Sequence, residues 1–266
     1  MSEYDVHVVD AHIHIDGYKQ ASVAELEASL NHPCLDYVVA VSMNLASCRH
    51  TEQWATRYPG KVLPAYGFHP EQALPTADEQ EGLLAWLELH KENMVAIGEV
   101  GLPYYMREES QKRGDSFDRL PYIELLELFV QRAAAWDLPI VLHAVYDDAP
   151  IVIDLLERYS VRRAHFHWFK GDEKTIARMA DNGYFASFTP DIHYEDEIRM
   201  LARQYPVEQV MTETDGPWPF EGAYTGRHTM PIMARDVAIE WAALRGMDIM
   251  EATKLLRANA RRCYGV

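Results

Sequence analysis

A chain of 266 residues, 48% apolar and 25% charged, has the make-up of an ordinary globular protein and can bury a core without staples. Its 25 basic and 41 acidic residues give a net charge of −16, which argues against a broad clamp on duplex nucleic acid, since such binding rests on a basic surface that releases counterions. Bound divalent cations could invert the charge at one small site, though not over a wide footprint.

Cys34, Cys48 and Cys263 are widely spread and form no Cys-x-x-Cys pair. That argues against a disulfide framework or a thiolate zinc site and for a reducing, cytoplasmic setting. No apolar run nears the roughly 18 residues that span a bilayer. Ser2, Glu3 and Asp5 make an N-terminus unlike a signal peptide, so no membrane partner is expected.

Along the chain, short β-branched or apolar runs alternate with polar turns and helical stretches. The first run, Val6–Ile15, holds Asp10, His12 and His14 at alternate positions. In a regular strand all three project from one face, with Val9, Ala11, Ile13 and Ile15 on the other. Two imidazoles so spaced can chelate one cation, and a buried Asp/His/His row without a cation would be costly.

Tyr37–Asn44 is the second run, followed by helical periodicity over Ser47–Tyr58. Val62–Phe68 ends in Gly67-Phe68-His69-Pro70. The helix after it, Thr76–Glu92, opens on Thr76 and Glu79 at capping-box spacing. In the fourth run, Met94–Val100, Glu99 lies between Gly98 and Gly101. The charged, Gly-containing segment from Pro103 to Asp118 is longer than a usual connection and is expected to be either a lid or a disordered insertion.

A helix over Leu120–Trp136 leads to the run Pro139–His143, then a helix over Ala149–Tyr159. Arg163–Phe169 carries His165 and His167 on one face. The helix Asp172–Asn182 is stopped by Gly183. Tyr184–Thr189 is followed by His193, which could reach a site, and by a helix over Tyr194–Gln204. Gln209–Thr214 leads into Asp215 and a loop bearing Trp218, Phe220 and Tyr224, aromatics that could stack a base or pack the loop. The helices His228–Leu244 and Ile249–Arg261 close the chain.

Eight runs alternating with helices predict an α/β fold, a single-domain (β/α)₈ TIM barrel over residues 1–266. On such a barrel the polar groups at the strand ends meet at the C-terminal face. Asp10, Glu99 and Asp215 crowded there would push some carboxyls up, and two divalent ions (zinc, magnesium or manganese) remove the conflict. Glu99 is read as bridging them, with His12 and His14 on one ion and His143 and His167 on the other. Asp215, taken to stand across the barrel from His12 and His14, would ligate one ion or deprotonate the water.

The chain resembles the TatD-related metal-dependent hydrolases of the amidohydrolase-like TIM barrels. The resemblance rests on DAHIHID at Asp10–Asp16, GFHP at Gly67–Pro70, IGEVGL at Ile97–Leu102, PIVLH at Pro139–His143, HWFKG at His167–Gly171, ETDGP at Glu213–Pro217 and NARRCYG at Asn259–Gly265. It implies metal ligands at His12, His14, Glu99, His143, His167 and Asp215, and it places His69 toward substrate. It also implies 3′–5′ exonuclease action on a DNA end by a metal-activated water. The sequence departs from the family at Pro103, where an Asp is usual, at Ala144-Val145 in place of Ser-Arg, and at Tyr122 in place of a Gln. These departures keep open a small ester, lactone, amide or aminoacyl ester as substrate. A non-catalytic barrel subunit is the third reading.

Overall fold

Short strands of Val, Ile, Ala and Phe alternate with amphipathic helices in the computed structural model, which describes residues 6–266. Ser2, Glu3 and Asp5 lie outside the described residues. The strands are β1 (Val8–Ile13), β2 (Leu35–Ala40), β3 (Val62–Tyr66), β4 (Ala96–Gly101), β5 (Ile140–His143), β6 (Ala164–Phe166), β7 (Phe185–Phe188) and β8 (Val210–Thr212). The helices are α1 (Val23–Leu30), α2 (Leu45–Arg57), α3 (Ala77–His90), α4 (Tyr104–Lys112) and α5 (Leu120–Trp136). They continue with α6 (Ala149–Arg158), α7 (Glu173–Asp181), α8 (Asp196–Gln204), α9 (Ala234–Arg245) and α10 (Ile249–Tyr264).

The strands pair in parallel in the order β1 to β8. β8 then returns to β1: Thr212 Oγ1 donates to Val9 O at 2.8 Å, and Asp215 N donates to His12 O at 3.0 Å. The result is the expected barrel, nearly closed. It also corrects one expectation, because Asp215 sits beside His12 rather than across from it.

Apolar residues form two layers. Val9, Ala11, Val39, Ala65, Val141 and Met211 pack inside the barrel, where Ala260, Cys263 and Tyr264 of α10 plug the N-terminal end. The outer layer sets the opposite strand faces, such as Val38, Ile97, Leu142 and Phe166, against Leu87, Phe129 and Trp241 of the helices. Simple alternation fails in β1, whose register against β2 shifts on both sides of Asp10. Val9 and Ala11 therefore face inward while Ile13 and Ile15 join the outer layer, and His12 and His14 turn toward the C-terminal mouth.

The insertion after β4 is not disordered. Tyr104–Lys112 is α4, whose first turn is capped by the Glu71 carboxylate and whose Arg107 pairs with Asp147 and Asp148. The helix expected from His228 begins only at Ala234, after a turn opened by Pro231, which has no N–H to offer. Among the described residues no helix is long and apolar enough to cross a membrane.

Candidate metal centre

The site is organised around Glu99, and two glycines explain how it reaches the barrel axis. A Cβ on Gly98 would lie 2.6 Å from the Cβ of Val141, and one on Gly101, at φ +159°, would lie 1.9 Å from the carbonyl oxygen of His143. Only glycine lets β4 lie so close to β5 at these points. Glu99 is fully buried.

Its two oxygens serve different partners. Oε2 is 3.1 Å from Nε2 of both His12 and His14. Oε1 is 2.8 Å from His167 Nε2, 3.2 Å from His143 Nδ1 and 3.3 Å from His69 Nε2. Asp215 Oδ1 completes the first group, 3.4 Å from His12 Nε2 and 3.5 Å from His14 Nε2. Within the groups, His12 Nε2 and His14 Nε2 are 3.4 Å apart, as are His167 Nε2 and His143 Nδ1.

Those spacings fit atoms sharing a cation, since tetrahedral ligands about 2.1 Å from zinc lie roughly 3.4 Å from one another. Among the described residues neither Glu99 oxygen nor Asp215 Oδ1 has a geometrically satisfied hydrogen bond, and all three are buried facing imidazole nitrogens. Buried anionic oxygens left this way need a proton or a cation. The donors are nitrogen and oxygen with no thiolate, a set that suits zinc, manganese or magnesium. The residues present fit a metal centre.

In the absence of cations the imidazoles bear the charge. Burial would raise the Glu99 carboxyl, but His167, His69 and His12 hold it well below the usual range. Burial would lower His167 and His143, yet Glu99 raises the first well above its ordinary value, and Glu71 with Glu99 lifts the second to about 8. Burial keeps His69 low.

Three polar groups read in the sequence stand outside the ligand cluster. Asp10 turns to β8, accepting from Thr214 N at 2.9 Å and Thr214 Oγ1 at 2.5 Å, and so pins the barrel seam. Asp10→Ala should leave those donors unpaired and cost about 2–4 kcal/mol, read as a lower urea midpoint at unchanged m-value. His165 lies deeper than His167, held neutral by burial between Tyr264 Oη and Ser187 Oγ. Tyr264 thereby ties the NARRCYG segment to the barrel floor. His193 is turned away, with Nδ1 3.7 Å from Glu240 and its ring beside Tyr224.

Trp218 stands at the rim, 56% exposed, with its ring 5.9 Å from Trp168. Phe220 and Tyr224 instead pack with Met233 in a small buried cluster. Two further acids, buried Glu213 and partly buried Glu71, are assigned no role by the sequence. Glu213 accepts from Trp168 N and Ser187 Oγ, 3.7 Å from His167 Nδ1. Glu71 lies 3.2 Å from His143 Nε2, and its only sequence signal is a place two residues after His69.

Comparison with known proteins agrees with this geometry. The profile of the "TatD related DNase" family matches residues 9–265. The chain belongs to the TatD family of metal-dependent hydrolases. An "Uncharacterized metal-dependent hydrolase" of Haemophilus influenzae is 38% identical over 96% of this chain and 98% of its own. Human "Deoxyribonuclease TATDN3" is 27% identical over 85% of this chain and 83% of its own. The crystal structure of YjjV, a TatD homologue from Escherichia coli, superposes with a TM-score of 0.83 at 23% identity, covering 98% of this chain and 99% of that one. The TatD assignment fits the conjunction seen here: a (β/α)₈ barrel with its histidines and acids gathered at one mouth.

Proposed function

We propose that the chain is a two-metal phosphodiesterase that removes nucleotides from the 3′ end of a DNA strand. The observation that carries this reading is the division of Glu99, one oxygen facing His12, His14 and Asp215 and the other facing His143 and His167. The name of the human relative supports nucleic acid as substrate. Divalent cations held by these residues supply Lewis-acid polarisation of the phosphoryl group and positive charge that an acidic protein otherwise lacks.

The chain's own residues do the rest. Despite burial, contacts with His12 and His14 keep the Asp215 carboxyl low, so it is ionised at neutral pH and able to accept the proton of the attacking water. His69 Nδ1 accepts from Glu71 N at 3.2 Å, which places the imidazole proton on Nε2, the nitrogen turned toward the site. That neutral N–H donates to the phosphoryl oxygen on which charge develops. Trp218, exposed beside Trp168, would stack the terminal base. With a net charge of −16, the footprint should be short and favour single-stranded ends.

One observation favours a smaller, uncharged ester instead. Ala144 and Val145 are buried where relatives often carry Ser-Arg, and nearby Arg107 is held by Asp147 and Asp148. A 5′-labelled single strand should give a ladder shortening from its 3′ end with Mg²⁺, Mn²⁺ or Zn²⁺. No cleavage with any of the three, together with turnover of a lactone or aminoacyl ester, would overturn the nuclease reading and establish the ester one.

A further inference from the structure

Glu71 meets two of the three imidazoles that flank Oε1 of Glu99, His69 and His143, and it meets them in opposite senses. Its backbone N–H donates to His69 Nδ1 at 3.2 Å, so His69 keeps its proton on Nε2. Its carboxylate accepts from His143 Nε2 at 3.2 Å, so a neutral His143 keeps its proton there and offers the Nδ1 lone pair on the side of Glu99 and His167. One residue thus makes His143 a ligand and His69 a hydrogen-bond donor.

The same carboxylate caps α4. Oε1 accepts from Tyr105 N at 2.8 Å and Oε2 from Met106 N at 2.7 Å, two amides of the first helical turn. The other end of this contact is the mouth itself, where the Tyr105 ring lies 5.9 Å from that of His143. Glu71 is mostly buried, its side chain 14% exposed. With α4 docked, both amides fix the carboxylate against His143. With α4 lifted, the carboxylate is free to turn into water and the imidazole loses its orienting partner.

We propose that Glu71 is a positioning residue that couples docking of α4 over the mouth to metal binding through His143. A cation on Nδ1 makes the Nε2 proton more acidic and strengthens its bond to Glu71, which in turn holds the anion where the α4 amides bind it. The coupling is reciprocal: what orders α4 tightens the metal, and the metal orders α4. The inference rests on the metal-centre reading.

The test uses the full chain stripped of metal, titrated with Zn²⁺ against a competing chelator, with amide hydrogen exchange followed over residues 104–112. In the wild type, Zn²⁺ should slow exchange across α4. Glu71→Ala should weaken one Zn²⁺ equivalent by about 10–100-fold and abolish the Zn²⁺-dependent protection of α4. Glu71→Gln, of the same size but unable to accept all three bonds, serves if the alanine variant fails to fold and should shift both readouts the same way. Faster exchange in α4 with wild-type Zn²⁺ affinity would reduce Glu71 to a helix cap. Weakened Zn²⁺ binding with undisturbed protection would remove the coupling. Either result overturns the proposal, whereas a wild type that binds no Zn²⁺ refutes the metal-centre reading itself.

Discussion

On the proposed two-metal reading, Glu99→Gln should fold normally, bind at most one divalent ion per chain instead of two, and lose hydrolytic activity by on the order of 10³-fold or more. The fold should survive because glutamine has the same size and the barrel is held by its two apolar layers rather than by this carboxylate. Activity should not, because Oε2 and Oε1 each supply the anionic edge of a separate imidazole group, and an amide offers one neutral oxygen in their place. Metal content by mass spectrometry, set beside kcat and a thermal melt, separates loss of the centre from loss of the fold. A variant that keeps both ions and its rate would show that Glu99 is not shared between them.

The pH dependence of metal binding is the second large effect, and its sign follows from the imidazoles. In the metal-free protein His143 is lifted to about 8, and Glu99 raises His14 and His167 as well, against the burial that would lower them. Below pH 8 a cation must therefore displace at least one proton to reach His143 Nδ1. Affinity should fall about tenfold per unit of acidification for each proton displaced, and the loss should deepen as His14 and His167 join. The metal-free fold behaves in the opposite way. A group raised above its unfolded value near 6.5 adds stability that is full below that value and is lost as pH rises toward 8. Chelation at pH 8 should thus both abolish turnover and lower Tm, with restoration of both on adding Zn²⁺ or Mn²⁺. Isothermal titration from pH 6 to 9 with parallel melts checks both slopes. A flat affinity profile would mean that these imidazoles do not hold the metal.

Most of the site was legible because its chemistry is written at strand ends. Once eight runs were placed on one barrel, His12, His14, Glu99, His143, His167 and Asp215 had only one mouth to share. What the sequence concealed depends on local backbone geometry. The register shifts around Asp10 cannot be read from alternation, so Asp10 was grouped with the crowded acids although it serves Thr214 at the seam. His165 and His167 share strand parity, but depth along the barrel separates a candidate ligand from a buried strut held by Tyr264 and Ser187. Asp215 was set across the barrel because closure of β8 onto β1 is a long-range contact that leaves no local mark. Glu71 was missed for a similar reason. Its partners, Tyr105, Met106 and His143, lie in segments far from it in the chain, and only a folded insertion brings them to it.

Anomalous diffraction from crystals soaked in Mn²⁺ or Zn²⁺, collected at the metal's absorption edge, tests the central claim most directly. Two peaks should appear on either side of the Glu99 carboxylate, one among His12, His14 and Asp215 and the other between His143 and His167. Density at neither position, with the six polar side chains hydrogen-bonded to water instead, would contradict the account.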